Sequence, residues 1–204
     1  MILMNEPFSN KHIELLIHAF EKDPMFVKLF KGPKKNHQMK AFFRFVYQRN
    51  QLLGDIFLTD SGLNPTYVCF IETPIHKHKI LLKDNVKLAL KMIKLAFYIP
   101  IRSLNFLSKY DSIIKKQRPN EKHYYLTMIG VSPEKQGLGI GKMVINSIHE
   151  MVHSDHDILS ICLDTENPLN VSYYEHLGYS LTHESKIRGL SIYHMQKRFD
   201  TKED

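Results

Sequence analysis

Three glycines at alternate positions, Gly137, Gly139 and Gly141 in SPEKQGLGIGKM (132–143), separate a β-prone apolar run from a helical pattern. A strand, a glycine-rich turn and a helix N-terminus together form an anion site. Unpaired backbone N–H groups and the helix dipole converge there, and glycine lets the backbone approach the ligand. Lys142 could neutralise a phosphate at the same place. Two phosphate loops are excluded by position. A Walker A loop needs Gly where Gln136 stands and Ser or Thr where Met143 stands, and a dinucleotide fingerprint needs a third Gly where Lys142 or Val144 stands.

Other residues offer acid–base chemistry. His123 begins the strand before the loop and has an ordinary pKa near 6.5, while Glu72 ends an upstream strand; either could take a proton from an amine. Tyr173 and Tyr174 are adjacent, so a helix points them roughly 100° apart and gives them different tasks. HEMVH (149–153) matches the His-Glu-x-x-His pattern of zinc peptidases. Its Met151 and Val152 belong to an apolar stripe that includes Ile140, Met143, Val144 and Ile148. That places His149, Glu150 and His153 away from the core, so no metal is expected.

Around these residues the chain reads as one domain of mixed α and β elements. Ser9 caps a helix with Ile13, Leu16, Ile17 and Phe20 on one face; Asp23-Pro24 opens a second, and Met39, Phe42, Phe43 and Val46 mark a third. Residues 55–72 read as an antiparallel hairpin. Helices return over 84–118, broken at Pro100. The first carries Val86, Leu90, Ile93 and Phe97 against a row of lysines, and the second carries Leu104, Leu107 and Ile114. A strand over 123–131 leads into the glycine loop and its helix, DILSICLD (157–164) is a buried strand, and Asn167-Pro168 starts a helix ending at Gly178. Two strands joined through Arg188 and Gly189 close the chain.

Gln136-x-x-Gly139-x-Gly141, its flanks IGVSPEKQGLGIGKMV, and LDTENPLNVSYYEHLGYSL (163–181) together resemble the GNAT superfamily of acyl-CoA-dependent N-acetyltransferases. The resemblance extends over about residues 121–198. Upstream, AFEKDPMFVKLF resembles the opening of a small-molecule branch of that superfamily. The implied fold is α+β, in αβα layers, with a mostly antiparallel central sheet that splays where the cofactor enters and helices on both sides. An acetyl-CoA-binding core over 121–198 would follow a helical and hairpin part over 1–120, with 84–118 as additional helices that could cover the acceptor site. The resemblance implies acetyl-CoA as acyl donor. Its pyrophosphate would meet Gln136, Gly137, Leu138, Gly139, Ile140, Gly141 and Lys142, and its pantetheine arm Asn167, Asn170 and Tyr173. It also implies backbone N–H groups near Ile129, Gly130 and Val131 as oxyanion donors, and Tyr174 as proton donor to the departing thiolate. The family usually opens with a strand, for which only MILM is available.

With 204 residues, 43 % apolar and 24 % charged, the chain can bury a sizeable core. A net charge of +7 and a pI near 9.2 favour an anionic partner. With no nucleic-acid reading motif, a polyphosphate cofactor and an amine acceptor are the expected partners, for a monomer or homodimer. Cys69 and Cys162 lack metal-ligand spacing, and no window approaches the roughly 18 apolar residues of a membrane span, so a cytoplasmic setting is expected. A non-catalytic acyl-CoA-binding module and a zinc peptidase using His149, Glu150 and His153 are the alternatives.

Overall fold

The computed structural model describes residues 8–53, 55–60, 64–74, 82–155 and 157–199; the MILM segment lies outside them. Three helices open the described chain: α1 (Asn10–Ala19), α2 (Pro24–Leu29) and α3 (Lys35–Leu53). Their starts follow from local chemistry. The Ser9 N–H is donated to His12 Nδ1 at 3.0 Å, and the Asp23 carboxylate accepts from the N–H groups of Met25 (2.9 Å) and Phe26 (3.2 Å), two helix-start donors with no partner inside α2. Pro24 fills the first helical position.

The strands are β1 (Ile56–Thr59), β2 (Tyr67–Glu72), β3 (Tyr124–Val131), β4 (Ser160–Thr165), β5 (Ser180–Ile187) and β6 (Leu190–Arg198). They form one sheet in the order β1-β2-β3-β4-β6-β5, antiparallel throughout except for the β3–β4 pair. The remaining helices are α4 (Leu82–Ala96), α5 (Ile101–Gln117), α6 (Ile140–His153) and α7 (Pro168–Glu175). Alternation along the strands makes two cores. Val68 and Phe70 of β2 join Phe26, Phe43 and Phe106 of the α1–α3 and α5 side, while Cys69 and Ile71 join Val144, Ile145 and Ile148 of α6 on the other side. The result is the αβα layering with a mostly antiparallel sheet that the resemblance implies.

Two departures in this sheet matter for function. Phe70 pairs with Met128 but Ile71 pairs with Leu126, so Thr127 is an extra residue, a β-bulge that re-aims the strand beyond it. The parallel pairing of β3 with β4 consists of Tyr124↔Ile161, Tyr125↔Cys162 and Leu126↔Leu163; beyond these the two strands diverge. Bulge and divergence begin at the same place. Just past them, α1 packs closely on β3, because a Cβ on Gly130 would lie 3.0 Å from Leu16 Cδ2 and 3.3 Å from Ala19 Cβ.

Two helix faces differ from the sequence reading. On α4 Leu88, Met92 and Leu95 line the cavity, with Leu95 buried, Leu88 half-buried and Met92 half-exposed, whereas Val86, Leu90, Ile93 and, just past the helix, Phe97 are exposed, Phe97 at 84 %. Both sets have helical spacing, and the packing of α4 over the cavity described below selects the first. On α6 the buried residues are Val144, Ile145, Ile148, His149 and Val152. Met143 is exposed and His149 is buried, because the rings of Tyr179 and Phe199 extend the core past the stripe expected from the apolar residues alone. Among the described residues no helix is long and apolar enough to cross a membrane.

Candidate active site

The glycine loop forms a cradle at the start of α6. Gly137 and Gly139 both have φ of +79°, a conformation other L-residues adopt at a cost, and Gly139 is the N-cap of α6. The first intrahelical bond there runs from Met143 N–H to the Gly139 carbonyl, so the N–H groups of Ile140, Gly141 and Lys142 have no partner within the helix. Gln136 Nε2 donates to the Val131 carbonyl at 3.1 Å and ties the loop to the end of β3. Gly141 is needed for a different reason. A Cβ there would lie 3.1 Å from the Tyr173 hydroxyl, so α7 and α6 approach each other at this point. Leu138, Met143, Leu169 and Tyr173 are exposed apolar or aromatic side chains on the loop, α6 and α7.

The strand gap separates this loop from a cavity of about 680 Å³ on the α1–α5 side of the sheet, within the range of small-molecule sites. Ile129, Thr165, Asn170 and Tyr174 lie where the cavity meets the gap, and α4 and α5 contribute to its walls. Asn167 caps α7 through its Oδ1, which accepts from Leu169 N–H at 3.1 Å, and Asn170 Nδ2 donates to Thr165 Oγ1 at 3.3 Å. Tyr174 is 8 % exposed and packs edge-on between Tyr173 and Tyr179. Burial raises its pKa, followed by the neighbouring Tyr173 and Cys69, so its phenol keeps its proton.

Glu72 and His123, the two base candidates from the sequence, lie in different surroundings. Glu72 lines the cavity but is clamped by Arg118 Nη1 at 2.6 Å and Arg49 Nη2 at 2.9 Å. Burial favours its neutral form, yet the two guanidiniums outweigh burial and lower its pKa. Arg118 in turn stacks over the Tyr125 ring, 3.6 Å from its centroid. His123 is half-buried at the closed end of the β3–β4 pair, with Nδ1 2.8 Å from the Glu121 carbonyl oxygen, and it is not part of the cavity lining.

Sequence reasoning missed a buried acidic group on the cavity side of β4. Glu166 is 9 % exposed and its carboxylate accepts from the Tyr110 hydroxyl of α5. Burial, then the nearby Asp23, push its pKa up to about 8, with the Tyr110 hydrogen bond partly opposing. Asp164 accepts from the Tyr125 hydroxyl at 2.5 Å and pairs with His194 Nδ1, whose Nε2 lies 2.9 Å from Ser185 Oγ. The only sequence signal was an acidic pair in a strand otherwise built to be buried, LDTE. Its partners Tyr110 and Tyr125 are 56 and 39 residues away.

The HEMVH residues are occupied otherwise. Both ring nitrogens of His149 are engaged, Nδ1 by Lys197 Nζ at 3.2 Å and Nε2 by the Tyr179 hydroxyl at 3.1 Å, while His153 rests against Phe199. Burial, then Lys197, lower the His149 pKa to about 4. A metal on His149 would have to displace one of these partners. Cys69 and Cys162 are both free and buried.

A mixed sheet thus opens beside a glycine-capped helix, with a cavity across the gap. Residues 110–199 match the family model described as an acetyltransferase (GNAT) domain. A structure described as histone acetyltransferase HPA2 and related acetyltransferase, from Corynebacterium glutamicum, has the same fold (TM-score 0.61, 16 % identity, 96 % of this chain and 95 % of that one). So does arylalkylamine N-acetyltransferase 2 of Aedes aegypti (TM-score 0.54, 14 % identity, 96 % and 98 %). A structure of the NatC complex, bound to a Gag peptide and CoA, aligns with a TM-score of 0.50 (13 % identity, 96 % and 97 %). In sequence, 116 residues are 28 % identical to a Dictyostelium discoideum protein named a probable serine/threonine-protein kinase. That match takes in 55 % of this chain, which spans only 12 % of the relative's length.

Proposed function

We propose that the protein is an N-acetyltransferase that moves the acetyl group of acetyl-CoA to an amine by direct attack on the thioester. The observation that carries the reading is the coincidence of three features: the N–H cradle at the start of α6, the strand gap, and a cavity that meets the gap at Tyr174. In this reading the pyrophosphate accepts hydrogen bonds from the N–H groups of Ile140 to Lys142, with Lys142 adding charge. The exposed Leu138, Met143, Leu169 and Tyr173 suit the aliphatic stretches of a pantetheine arm, and Asn167 and Asn170 border its path. The thioester then lies in the gap, where backbone N–H groups of β3 around Ile129 to Val131 face the developing oxyanion.

The amine must arrive uncharged, and its proton needs an acceptor. We assign that role to Glu166 in place of His123 or Glu72, since Glu166 is in the cavity, lacks a cationic partner among its hydrogen bonds and holds protons in the neutral range. As the amine nitrogen bonds to the acetyl carbon, the C–S bond breaks; the nitrogen's proton passes to Glu166 and the thiolate takes one from Tyr174. Chemistry and cofactor binding would reside in residues 121–198, with 1–120 supplying the acceptor side of a single domain.

The test is acetyl-CoA binding by thermal shift, followed by amine-dependent thiol release from acetyl-CoA. Saturable binding with release that requires an amine is expected. Binding without release for any amine would support a non-catalytic acyl-CoA module, and no binding would remove the reading altogether.

A further inference from the structure

The acetyltransferase reading leaves the acceptor open, and the cavity carries information about it. Its walls are largely apolar: Phe26, Phe42, Met92, Leu95, Leu104 and Leu107 come from four different helices. A body bearing many hydroxyl or charged groups would lose water there and find few replacement partners.

Charged groups line it from the sheet, from α3 and α5 and from the segments beside them, and most are already engaged, Asp111 with Lys115 among them. Glu72 is neutralised by Arg49 and Arg118. Asp23 uses its carboxylate to cap α2, and Asp164 is held by Tyr125 and His194. Among the described residues, the side-chain partner of Glu166 is the neutral phenol of Tyr110. Two buried polar atoms of lining residues have no hydrogen-bond partner among the described residues: Thr127 Oγ1, on the bulge of β3, and Arg118 Nε. Buried polar groups are ordinarily satisfied, so an unpartnered hydroxyl on a cavity wall points to a ligand that completes it.

We infer that the acceptor is a primary amine on an apolar body, of the arylalkylamine or alkylamine class, with its amino group beside Glu166 and Thr127 and its body under α4 and α5. This rests on the acetyltransferase reading. The ammonium form loses its first proton to solvent, and Glu166 takes the one that the nitrogen releases as it bonds to the acetyl carbon. An acceptor carrying its own carboxylate would meet Asp23, Asp164 and Glu166 in the same cavity. A polyamine would have to bury further charges against hydrocarbon.

The experiment compares kcat/KM for 2-phenylethylamine and octylamine with that for spermidine, glucosamine and a lysine-containing peptide. Acetyl-CoA binding is measured separately on the same protein. The apolar amines are expected to lead by roughly 10- to 200-fold, the discrimination an apolar pocket supplies. Met92→Lys puts a cation in the cavity wall from a half-exposed position on α4. It should lower kcat/KM for 2-phenylethylamine at least about tenfold on the same basis, with acetyl-CoA binding unchanged. If acetyl-CoA binds but the hydrophilic amines or the peptide are used as well or better, or no apolar amine is used, the substrate inference is overturned while the acetyl-CoA site stands. If acetyl-CoA does not bind, the acetyltransferase reading itself fails and the substrate inference falls with it.

Discussion

Replacing Glu166 by Gln keeps the acceptor for the Tyr110 hydroxyl and removes only the ability to ionise. The carboxyl is raised from 4.5 to about 8 in the folded protein. Between those values the unfolded chain releases a proton that the folded chain retains. The stabilising contribution of the protonated group is therefore complete below about pH 4.5 and is lost as pH rises toward 8. At about 1.4 kcal/mol per pKa unit, the full cost above pH 8 is about 5 kcal/mol. Urea unfolding from pH 5 to 9 should show Glu166→Gln within about 1 kcal/mol of the parent at pH 5 and more stable by several kcal/mol at pH 8.5. The same variant should lose roughly 10²- to 10⁴-fold in kcat/KM, together with the rising limb of the pH–rate profile that leads to about pH 8 in the parent. Parallel stability curves for the two proteins, or an unaltered rising limb, would refute the argument that Glu166 is a buried carboxyl that titrates in the neutral range and accepts the amine's proton.

Three further outcomes are expected. Tyr174→Phe retains the ring packed between Tyr173 and Tyr179, so it should keep acetyl-CoA binding and lose roughly 10²-fold or more in kcat, measured by thiol release. Gly130→Val forces side-chain atoms against Leu16 and Ala19, where even a Cβ is tight, and should destabilise by about 1–3 kcal/mol in denaturant unfolding. Burial pushes the Cys162 thiol up to about 12 and raises Cys69 as well, so a disulfide reagent at pH 8 should modify neither in the folded protein and both after denaturation.

What the sequence revealed was mostly local. The Asp23-Pro24 and Asn167-Pro168 starts, the glycine turn and the β5–β6 hairpin each depend on residues a few positions apart, and the structure has them where the sequence places them. The cavity side was not legible in the same way. Glu166 becomes a buried acid because α5 brings Tyr110 over β4 from 56 positions away, and nothing in LDTEN records that meeting. His149 is buried for a similar reason: the rings of Tyr179 and Phe199, flanking the last two strands, pack against it. On α4 two apolar stripes of helical spacing compete, and the packing of the helix, chiefly against α3, decides that Leu88, Met92 and Leu95 line the cavity. Periodicity identifies a helix; it does not identify which face meets the rest of the protein when both faces are apolar.

The central claim is that the Gly137–Lys142 cradle binds acetyl-CoA, and calorimetric titration of acetyl-CoA into the protein and into Gly139→Val tests it most directly. Valine at φ of +79° costs about 1–3 kcal/mol in backbone strain and displaces the N–H groups that form the cradle. The account predicts saturable binding to the parent, with a melting midpoint raised by about 5 to 10 °C at a hundredfold excess over Kd. Binding to the folded variant should be at least about tenfold weaker, as expected when about 1.4 kcal/mol or more of binding is lost. Equal affinity for parent and variant, or no binding to either, would contradict it.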